Sequence, residues 1–471
     1  MPMRTIVAIL LAAALGLLTA ATAHPSSPAV HEYELDNGMR VLVRPDHRAE
    51  VVVSQLWFPV GSSHERPSLT GISHALEHMM FKGTEERETG EFSRTITREG
   101  GRLNAFTGRD FTAYHEQLRA DRLQVALELE ADRLANIIFD DEEFANEMEV
   151  IREERRQVVD NSPVRVAHER FHALAWQTHP YRHPILGWPS DLDHMTVDDI
   201  RHWHEQWYGV NNAILVVVGA VEPDAVHALA VEHFGPLEPR EAPSVRELRE
   251  IEPLGERRGV VHQPRATPYL VMGWQVPSRA SAEDPAQSYA LSLLARILDG
   301  GRSARLAERV IRGTDIAASA GASYNAINRL DTLFYLDGRP APDADLDALE
   351  EVLRQEIRRI VDEGVSREEL DRARVQARAD QVYRLDSLFA QGMEIGLLET
   401  TGIGWQAMDE FEEALDRVTP EDVQAVAEEY LRDDRITVVH LLPEDNGTPA
   451  PDARGTPGGA TDPATETPYA R

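Results

Sequence analysis

Two histidines and a glutamate stand at a spacing that suits a metal ion and a proton acceptor. His74, Glu77 and His78 form the pattern H-x-x-E-H. Residues four apart share a face of a helix, so both imidazoles can bind one metal ion while Glu77 projects towards the same side. Two histidines with a carboxylate that takes a proton from activated water form the inverted zinc-protease motif. The pattern therefore predicts hydrolytic chemistry at a zinc site.

The motif alone leaves an alternative open. A hydrolytic zinc site usually has three protein ligands and a fourth position for water, so a third ligand must come from elsewhere in the chain. The alternative is an ordinary amphipathic helix whose apolar positions Ile72, Leu76 and Met80 face a core. Evidence from the rest of the chain has to decide between them.

The composition bounds the class of protein. With 471 residues, 42% of them hydrophobic, the chain is long enough for two or more domains. Its formal net charge of -32, from 80 acidic and 48 basic residues, argues against nucleic-acid binding, which needs a basic surface. The sequence has no cysteine, which excludes disulfides and thiolate metal ligands, and Lys82 is its only lysine.

The first residues are typical of a secretory signal peptide. Arg4 precedes an apolar run over residues 6–18, and Ala21-Thr22-Ala23 fits a small-x-small cleavage site. An uncleaved membrane anchor is the alternative, because the run is nearly long enough to span a bilayer. The small residues at its end favour cleavage. We therefore expect residues 1–23 to be removed and the mature protein to be periplasmic or secreted, with no membrane attachment.

Strands and helices alternate around the motif. Strand signals cover residues 31–44, 51–60 and 102–118, the first with a hairpin turn at its centre. The motif helix is expected to start near residue 68 and to stop before Gly83. A further helix, capped by Asp140 or Asp141, is expected to reach about Val159. These elements must hold the side chains of the motif in place.

The helix that ends near Val159 is rich in carboxylates. Glu147 and Glu154 lie two turns apart on it and hence on one face. Ion pairs with neighbouring arginines at helical spacing would also explain these residues as an ordinary charged surface. Their spacing alone does not decide between a functional pair of carboxylates and an ordinary charged surface.

The chain resembles the pitrilysin/insulinase family of zinc peptidases. The similarity is to its short two-domain branch, which includes the mitochondrial processing peptidase and its bacterial relatives. Four matches occur in the family's order and carry the resemblance: the H-x-x-E-H motif, Gly100–Thr107, the pair within Glu147–Glu154, and His179–Gly187. The resemblance extends from about Val30 to Pro443.

This resemblance implies an assignment for the zinc site. It makes Glu154 the third ligand beside His74 and His78, with Glu147 as the carboxylate that orients a ligand. Glu77 is then the catalytic base, and Zn²⁺ is the implied cofactor. Another divalent ion of similar preference remains an alternative in the cell.

The resemblance also implies how a peptide or unfolded protein would bind. Asn104, Ala105 and Phe106 match the family's active-site edge strand, which can take an extended peptide as an added strand. In the second half, Arg305 matches a substrate-binding arginine. The family's tyrosine is expected shortly after it, but Ala318 stands there. We therefore expect the zinc-bearing subunit of a heterodimer with a related chain, with a homodimer as the alternative.

An internal repeat predicts two homologous halves. Thr196 leads a helix towards an apolar strand at residues 214–218, and Thr419 does the same for residues 436–439. The fold class is therefore α+β, with two homologous halves that each contain an antiparallel sheet covered by helices. By resemblance, the halves form a clamshell around a chamber that favours unfolded peptides.

The expected organisation follows from these segments and their composition. A Pro-, Glu- and Arg-rich stretch suggests the linker, and a Pro-, Gly-, Thr- and Asp-rich end suggests disorder. The divisions are a signal peptide at 1–23, a zinc-bearing peptidase domain at 24–240, a linker at 241–258, a homologous domain without the metal motif at 259–443 and a disordered tail at 444–471.

Taken together, these features predict an exported zinc-dependent metalloendopeptidase. It would hydrolyse peptides or unfolded polypeptides with Glu77 as general base. The alternative is a non-catalytic scaffold or a peptide-binding subunit of a larger complex. The intact ligands and base favour catalysis.

Overall fold

The computed structural model describes residues 29–241, 244 and 249–444 of the chain. The predicted signal peptide, part of the predicted linker and nearly all of the predicted tail lie outside these residues, so the domain boundaries stay predictions. No helix within the described ranges is long and apolar enough to cross a bilayer. The described residues form two sheets that are covered by helices.

The first sheet carries the elements around the H-x-x-E-H motif. Its strands are β1 (His31–Glu34), β2 (Arg40–Pro45), β3 (Val51–Phe58), β4 (Arg102–Thr107), β5 (Thr112–Arg119) and β6 (Ile214–Gly219). Their order is β1-β2-β6-β3-β5-β4, and neighbours run antiparallel except for the parallel pair β2 and β6. The strand signals of the sequence are thereby confirmed, and β4 lies at the edge.

The second sheet repeats this arrangement. Its strands are β7 (Arg257–Gln263), β8 (Tyr269–Val276), β9 (Ala317–Tyr324), β10 (Thr332–Pro340) and β11 (Ile436–Pro443). The order β7-β11-β8-β10-β9 has one parallel pair, β7 and β11, and matches β2-β6-β3-β5-β4 in order and direction. The two homologous halves are confirmed. The parallel pair in each sheet departs from the expected antiparallel pattern, because long helical connections precede β6 and β11 and permit either direction.

Helices fill the connections between the strands. The first half contains α1 (Ile72–Met79), α2 (Glu91–Arg98), α3 (Leu123–Asn136), α4 (Asp141–Arg155), α5 (Pro163–Ala175), α6 (Pro189–His194), α7 (Val197–Trp207) and α8 (Pro223–Phe234). The second half contains α9 (Ala286–Asp299), α10 (Leu346–Glu363), α11 (Arg367–Arg384), α12 (Leu388–Thr400), α13 (Phe411–Arg417) and α14 (Pro420–Tyr430). A π-helical turn follows α4 at Arg156–Asp160, and another lies at Leu306–Ile311.

Local sequence signals set several helix starts. Asp140 caps α4, since its carboxylate accepts the backbone N–H groups of Glu142 and Glu143 at 2.9 and 3.0 Å. Thr196 and Thr419 each form a capping box at the start of α7 and α14. The repeat seen in the sequence is therefore a repeat of helix capping as well as of strand order.

Each sheet packs its two faces differently. One face of the first sheet lies on helices of its own half, and its other face packs against α12 of the second half. Reciprocally, α5 of the first half packs against β7, β8 and β11. Two glycines on α12 permit its close approach: a Cβ at Gly396 would lie 2.0 Å from the buried Trp57 ring, and one at Gly392 would lie 2.7 Å from Gln55. Each half thus contributes a helix that packs against the sheet of the other half.

Candidate metal centre and peptide-binding edge

The motif helix α1 starts at a tightly packed glycine. Gly71 adopts a left-handed φ of 87°, and a Cβ there would lie 2.8 Å from the Cα of Gly187, so only glycine fits. Glu65 accepts the N–H groups of Gly71 and Ser73 at 2.7 and 2.9 Å, which satisfies donors at the helix start. The helix is therefore shorter than expected at its N-terminal end, and residues 68–70 lie outside it.

The amphipathic interpretation of α1 is compatible with the metal-site interpretation. Ile72, Leu76 and Met80 are buried in the core, as the amphipathic alternative predicts. His74 and His78 lie on the side that faces α4, with their ring centroids 4.6 Å apart. The apolar face anchors the helix, and this anchoring is what holds the two imidazoles in place.

Helix α4 brings Glu154 to the two histidines. Its Oε2 lies 3.4 Å from Nε2 of His78 and 3.9 Å from Nε2 of His74. The ligand atoms of all three residues lie within 4.8 Å of one another. Ligand atoms around tetrahedral zinc are about 3.4 Å apart, given zinc–ligand distances of about 2.0–2.2 Å. Two imidazoles and a carboxylate at this spacing fit zinc.

The charges around His78 also fit a cation. Burial lowers the pKa of His78, but hydrogen bonds to Glu147 and Glu154 and the charge of Glu77 outweigh it and raise the pKa to about 9. Nδ1 of His78 donates to Oε1 of Glu147 at 2.7 Å, because an ionised carboxylate can only accept. This contact leaves Nε2 directed towards Glu154. The cluster therefore attracts positive charge at the place where the ligand atoms converge.

Glu147 has a second partner that the sequence analysis did not assign. Its Oε2 accepts a hydrogen bond from Nζ of Lys82 at 2.5 Å, and Glu143 lies 3.7 Å from the same ammonium. Burial raises the pKa of Glu147, but His78 and Lys82 lower it to about 2, so the carboxylate stays ionised. The sequence feature that could have indicated this contact was the position of Lys82, four residues after His78 and next to a metal motif.

Glu77 is held by the edge strand β4. Its carboxylate is buried, and Oε2 accepts a hydrogen bond from Oγ1 of Thr107 at 2.6 Å. Thr107 is the last residue of β4 and lies on the same face of the strand as Leu103 and Ala105, which pack against the core under α1. No individual role was predicted for Thr107, although strand alternation places it on the face towards α1.

Strand β4 has one open edge within the described part of the fold. It pairs with β5 on one side only, so alternate backbone N–H and C=O groups point away from the sheet. Of the predicted substrate-binding residues, Asn104 is half-buried, and Ala105 and Phe106 are buried. A peptide at this edge would therefore meet Ala105 and Phe106 through their backbone.

Arg305, a predicted substrate-binding residue, makes its contacts within the second half. Its side chain is buried, and Nε and Nη2 donate to both carboxylate oxygens of Glu369 at 2.7 and 2.9 Å. Nη2 also donates to the carbonyl of Gly364 at 3.0 Å. The guanidinium thus forms its hydrogen bonds within the second half. Ala318 lies exposed on β9, the edge strand that corresponds to β4.

A second cluster of potential ligands fits a metal less well. Asp347, Glu350 and His440 also bring ligand atoms within 4.8 Å of one another. However, both carboxylate oxygens of Glu350 accept hydrogen bonds from Arg258 at 2.6 and 2.8 Å, and Arg354 donates to one of them at 2.9 Å. Two guanidinium groups occupy the place that a cation would need, so this cluster is an ion-pair network.

Comparisons with known proteins identify the family of both halves. The family description Insulinase (Peptidase family M16) matches residues 40–188, and Peptidase M16 inactive domain matches residues 194–376. The chain is 28% identical over 421 residues to the zinc protease PqqE of Helicobacter pylori, covering 88% of this chain and 93% of that protein. It is 30% identical over 363 residues to a zinc protease of Rickettsia felis, covering 77% of this chain and 85% of that one.

Solved structures show the same fold. The crystal structure of a protease from Helicobacter pylori matches with a TM-score of 0.83 and 27% identity, over 88% of this chain and all of that one. A structure from Pseudomonas fluorescens, described as a peptidase M16 inactive domain, matches in fold with a TM-score of 0.78 at 19% identity, over 88% of this chain and 98% of that one. On these matches and the motifs that preceded them, this chain belongs to the insulinase family, peptidase family M16.

Proposed function

We propose that this protein is a zinc metalloendopeptidase that hydrolyses peptides or unfolded polypeptides. The observation that carries the proposal is the convergence of His74, His78 and Glu154, whose ligand atoms lie within 4.8 Å. Beside them lies a buried glutamate, Glu77, held by the strand with the open edge. A scaffold has no need for a base at that position.

The residues divide the chemistry between them. His74, His78 and Glu154 would hold the ion, which when bound supplies a Lewis acid that polarises the scissile carbonyl and activates water. Glu77 accepts the proton of the attacking water and returns it to the leaving amine. The hydrogen bond from Thr107 to Oε2 of Glu77 holds the carboxylate in place for this role.

The open edge of β4 explains how the substrate would be placed. An extended peptide that adds to this edge pairs through its backbone, which favours unfolded chains over folded ones. The strand ends at Thr107, so the peptide lies beside the residue that holds the base. Backbone pairing thus fixes the scissile bond near Glu77 without requiring a particular side chain.

We also propose that the chain works as the zinc-bearing subunit of a pair, with a related second subunit. Arg305 is engaged by Glu369, and Ala318 stands where the family resemblance implies a tyrosine. A related partner would supply these two substrate contacts. Export, supported by the signal-like residues 1–23, would place both subunits outside the cytoplasm.

The decisive experiment combines zinc content with peptide hydrolysis for the Glu77→Gln variant. We expect bound zinc as in the wild type and a loss of turnover of at least about 100-fold, because general-base catalysis contributes about 10²–10⁴-fold. Glu149→Gln is the matched control, since Glu149 is an exposed residue of α4 that pairs only with Arg152 among the described residues. Hydrolysis is measured with the chain alone and with a related subunit.

The outcomes separate the proposals. Cleavage by the chain alone would refute the need for a partner, while cleavage only in the mixture would support it. Unchanged turnover in the Glu77 variant would remove this residue from its assigned role. Zinc binding without hydrolysis in either preparation would favour the scaffold.

A further inference from the structure

We propose that Lys82 is a positioning residue of the zinc site, and that the site needs a single ammonium group there in place of a guanidinium. The inference rests on the proposed function, since it concerns how the histidine ligands are held for zinc. It adds a residue to which the sequence analysis gave no role.

Glu147 divides its two oxygens between two partners. Oε2 accepts from Nζ of Lys82 at 2.5 Å, and Oε1 accepts from Nδ1 of His78 at 2.7 Å. The ammonium fixes the rotation of the carboxylate, and the carboxylate in turn fixes the ring of His78. Partners of this kind orient ligands and raise their basicity. Lys82 therefore acts on the zinc ligand through Glu147.

The contact is shielded from water. The side chains of Lys82 and Glu147 are only 16% and 13% exposed. Glu154 and Glu143 add negative charge nearby, and the ammonium lies 3.7 Å from Glu143. Without Lys82, the carboxylate of Glu147 would keep one partner and could turn away from His78. The loss would weaken the orientation of the ring more than loss of an exposed ion pair would.

Arginine elsewhere in the structure shows what a guanidinium does at such a carboxylate. Arg155 donates to both oxygens of Glu169 at 2.8 and 3.1 Å, and Arg305 takes both oxygens of Glu369. Planar, bidentate hydrogen bonding is the favoured geometry of a guanidinium on a carboxylate. At Glu147, the same geometry would place a guanidinium N–H on Oε1, where it would compete with Nδ1 of His78.

The composition of the chain makes this position stand out. Of the 48 basic residues, Lys82 is the only lysine, and all others are arginine. A cavity of about 360 Å³ adjoins Lys82 and is bordered by residues 83–89 and the start of α4. The space beside Lys82 is therefore not filled by other side chains. We expect the difference between lysine and arginine to come from hydrogen-bond geometry.

The absence of cysteine permits a clean chemical test. In a Lys82→Cys variant, the new thiol is the only one in the chain. Its thiolate displaces bromide from 2-bromoethylamine, forming a C–S bond and restoring an ammonium at the reach of lysine. Iodoacetamide, by displacement of iodide, attaches a neutral amide of similar length. Zinc affinity of the full mature chain, measured by competition with a chelator, is compared for these two products and for Lys82→Ala and Lys82→Arg.

We expect the alanine, arginine and amide-bearing proteins to bind zinc about 10- to 100-fold more weakly than the wild type. The aminoethylated protein should return to within a few-fold of the wild type, which also shows that the fold is intact. Arg156→Ala is the matched control, because Arg156 forms an exposed ion pair with Glu153 just after α4. Its zinc affinity should not change.

Three results would overturn the inference. They are wild-type affinity in Lys82→Ala, wild-type affinity in Lys82→Arg, or a folded aminoethylated protein that does not recover. Because the readout is zinc affinity, the proposed function can fail separately. Wild-type protein that binds zinc but cleaves no peptide would refute the peptidase while the affinity series still tests Lys82.

Discussion

Replacing Thr107 by valine tests whether the edge strand orients the base. Valine has nearly the shape of threonine, so β4 keeps its packing while Glu77 loses the donor at 2.6 Å from Oε2. The substitution leaves the three zinc ligands untouched. Its effect should therefore appear in turnover and not in zinc affinity.

The size of the effect follows from the type of hydrogen bond. A hydrogen bond to a charged group contributes about 1.5–3 kcal/mol. Each 1.36 kcal/mol lost from the stabilisation of the transition state lowers the rate about tenfold. If orienting Glu77 is the only role of this hydroxyl, kcat should fall about 10- to 100-fold. KM should change little, since the backbone edge of β4 is preserved.

Steady-state kinetics with an unstructured peptide, together with zinc content, measure this prediction. Thr107→Ser keeps the hydroxyl and should recover most of the lost turnover, whereas Thr97→Val, at an exposed position of α2, should have no effect. Unchanged kcat in Thr107→Val would refute the idea that β4 orients the base. A rise in KM alone would instead assign the hydroxyl to substrate binding.

Three further predictions concern the scaffold and the metal. Gly396→Ala should destabilise the protein by about 1–3 kcal/mol in urea unfolding, because its Cβ would meet Trp57 at 2.0 Å, whereas Gly255→Ala, with open space around it, should be neutral. Glu369, whose pKa burial raises but Arg305 lowers to about 2 from 4.5, should stabilise the fold above about pH 4.5 and lose this contribution as pH falls towards 2. Glu369→Gln should therefore flatten the dependence of the melting temperature on pH across that range. Chelation should lower the melting temperature, and added zinc should restore it.

Much of the arrangement could be predicted because it depends on local patterns. The hairpin around Gly38, the cap at Asp140 and the repeated capping boxes are encoded within a few residues, and the structure shows each of them. The family resemblance added the order of distant segments, which local patterns cannot supply. Together they predicted that Glu154 lies beside the two histidines.

The contacts that were missed depend on tertiary packing. Thr107 reaches Glu77, and Lys82 reaches Glu147, only because β4 and α4 pack on either side of α1. Arg305 illustrates the opposite case, because its motif was recognised but its partner Glu369 lies on α11, far along the chain. A sequence pattern can identify a charged residue. Its burial and the partners that surround it in the folded chain determine which contacts it makes.

The second half contributes to the site even though it lacks the metal motif. Phe389, at the start of α12, lies 4.8 Å from the ring of His115 and 6.4 Å from the ring of Phe106, on strands β5 and β4. Phe106 stands between Ala105 and Thr107 on β4, and Thr107 holds Glu77 through a hydrogen bond. Packing from the second half therefore supports the strand that orients the base. Because α12 and the segment Trp405–Met408 of the second half cover the outer face of the first sheet, the first half alone would expose Trp57 and lose this support. We therefore infer that the site forms only when both halves fold together.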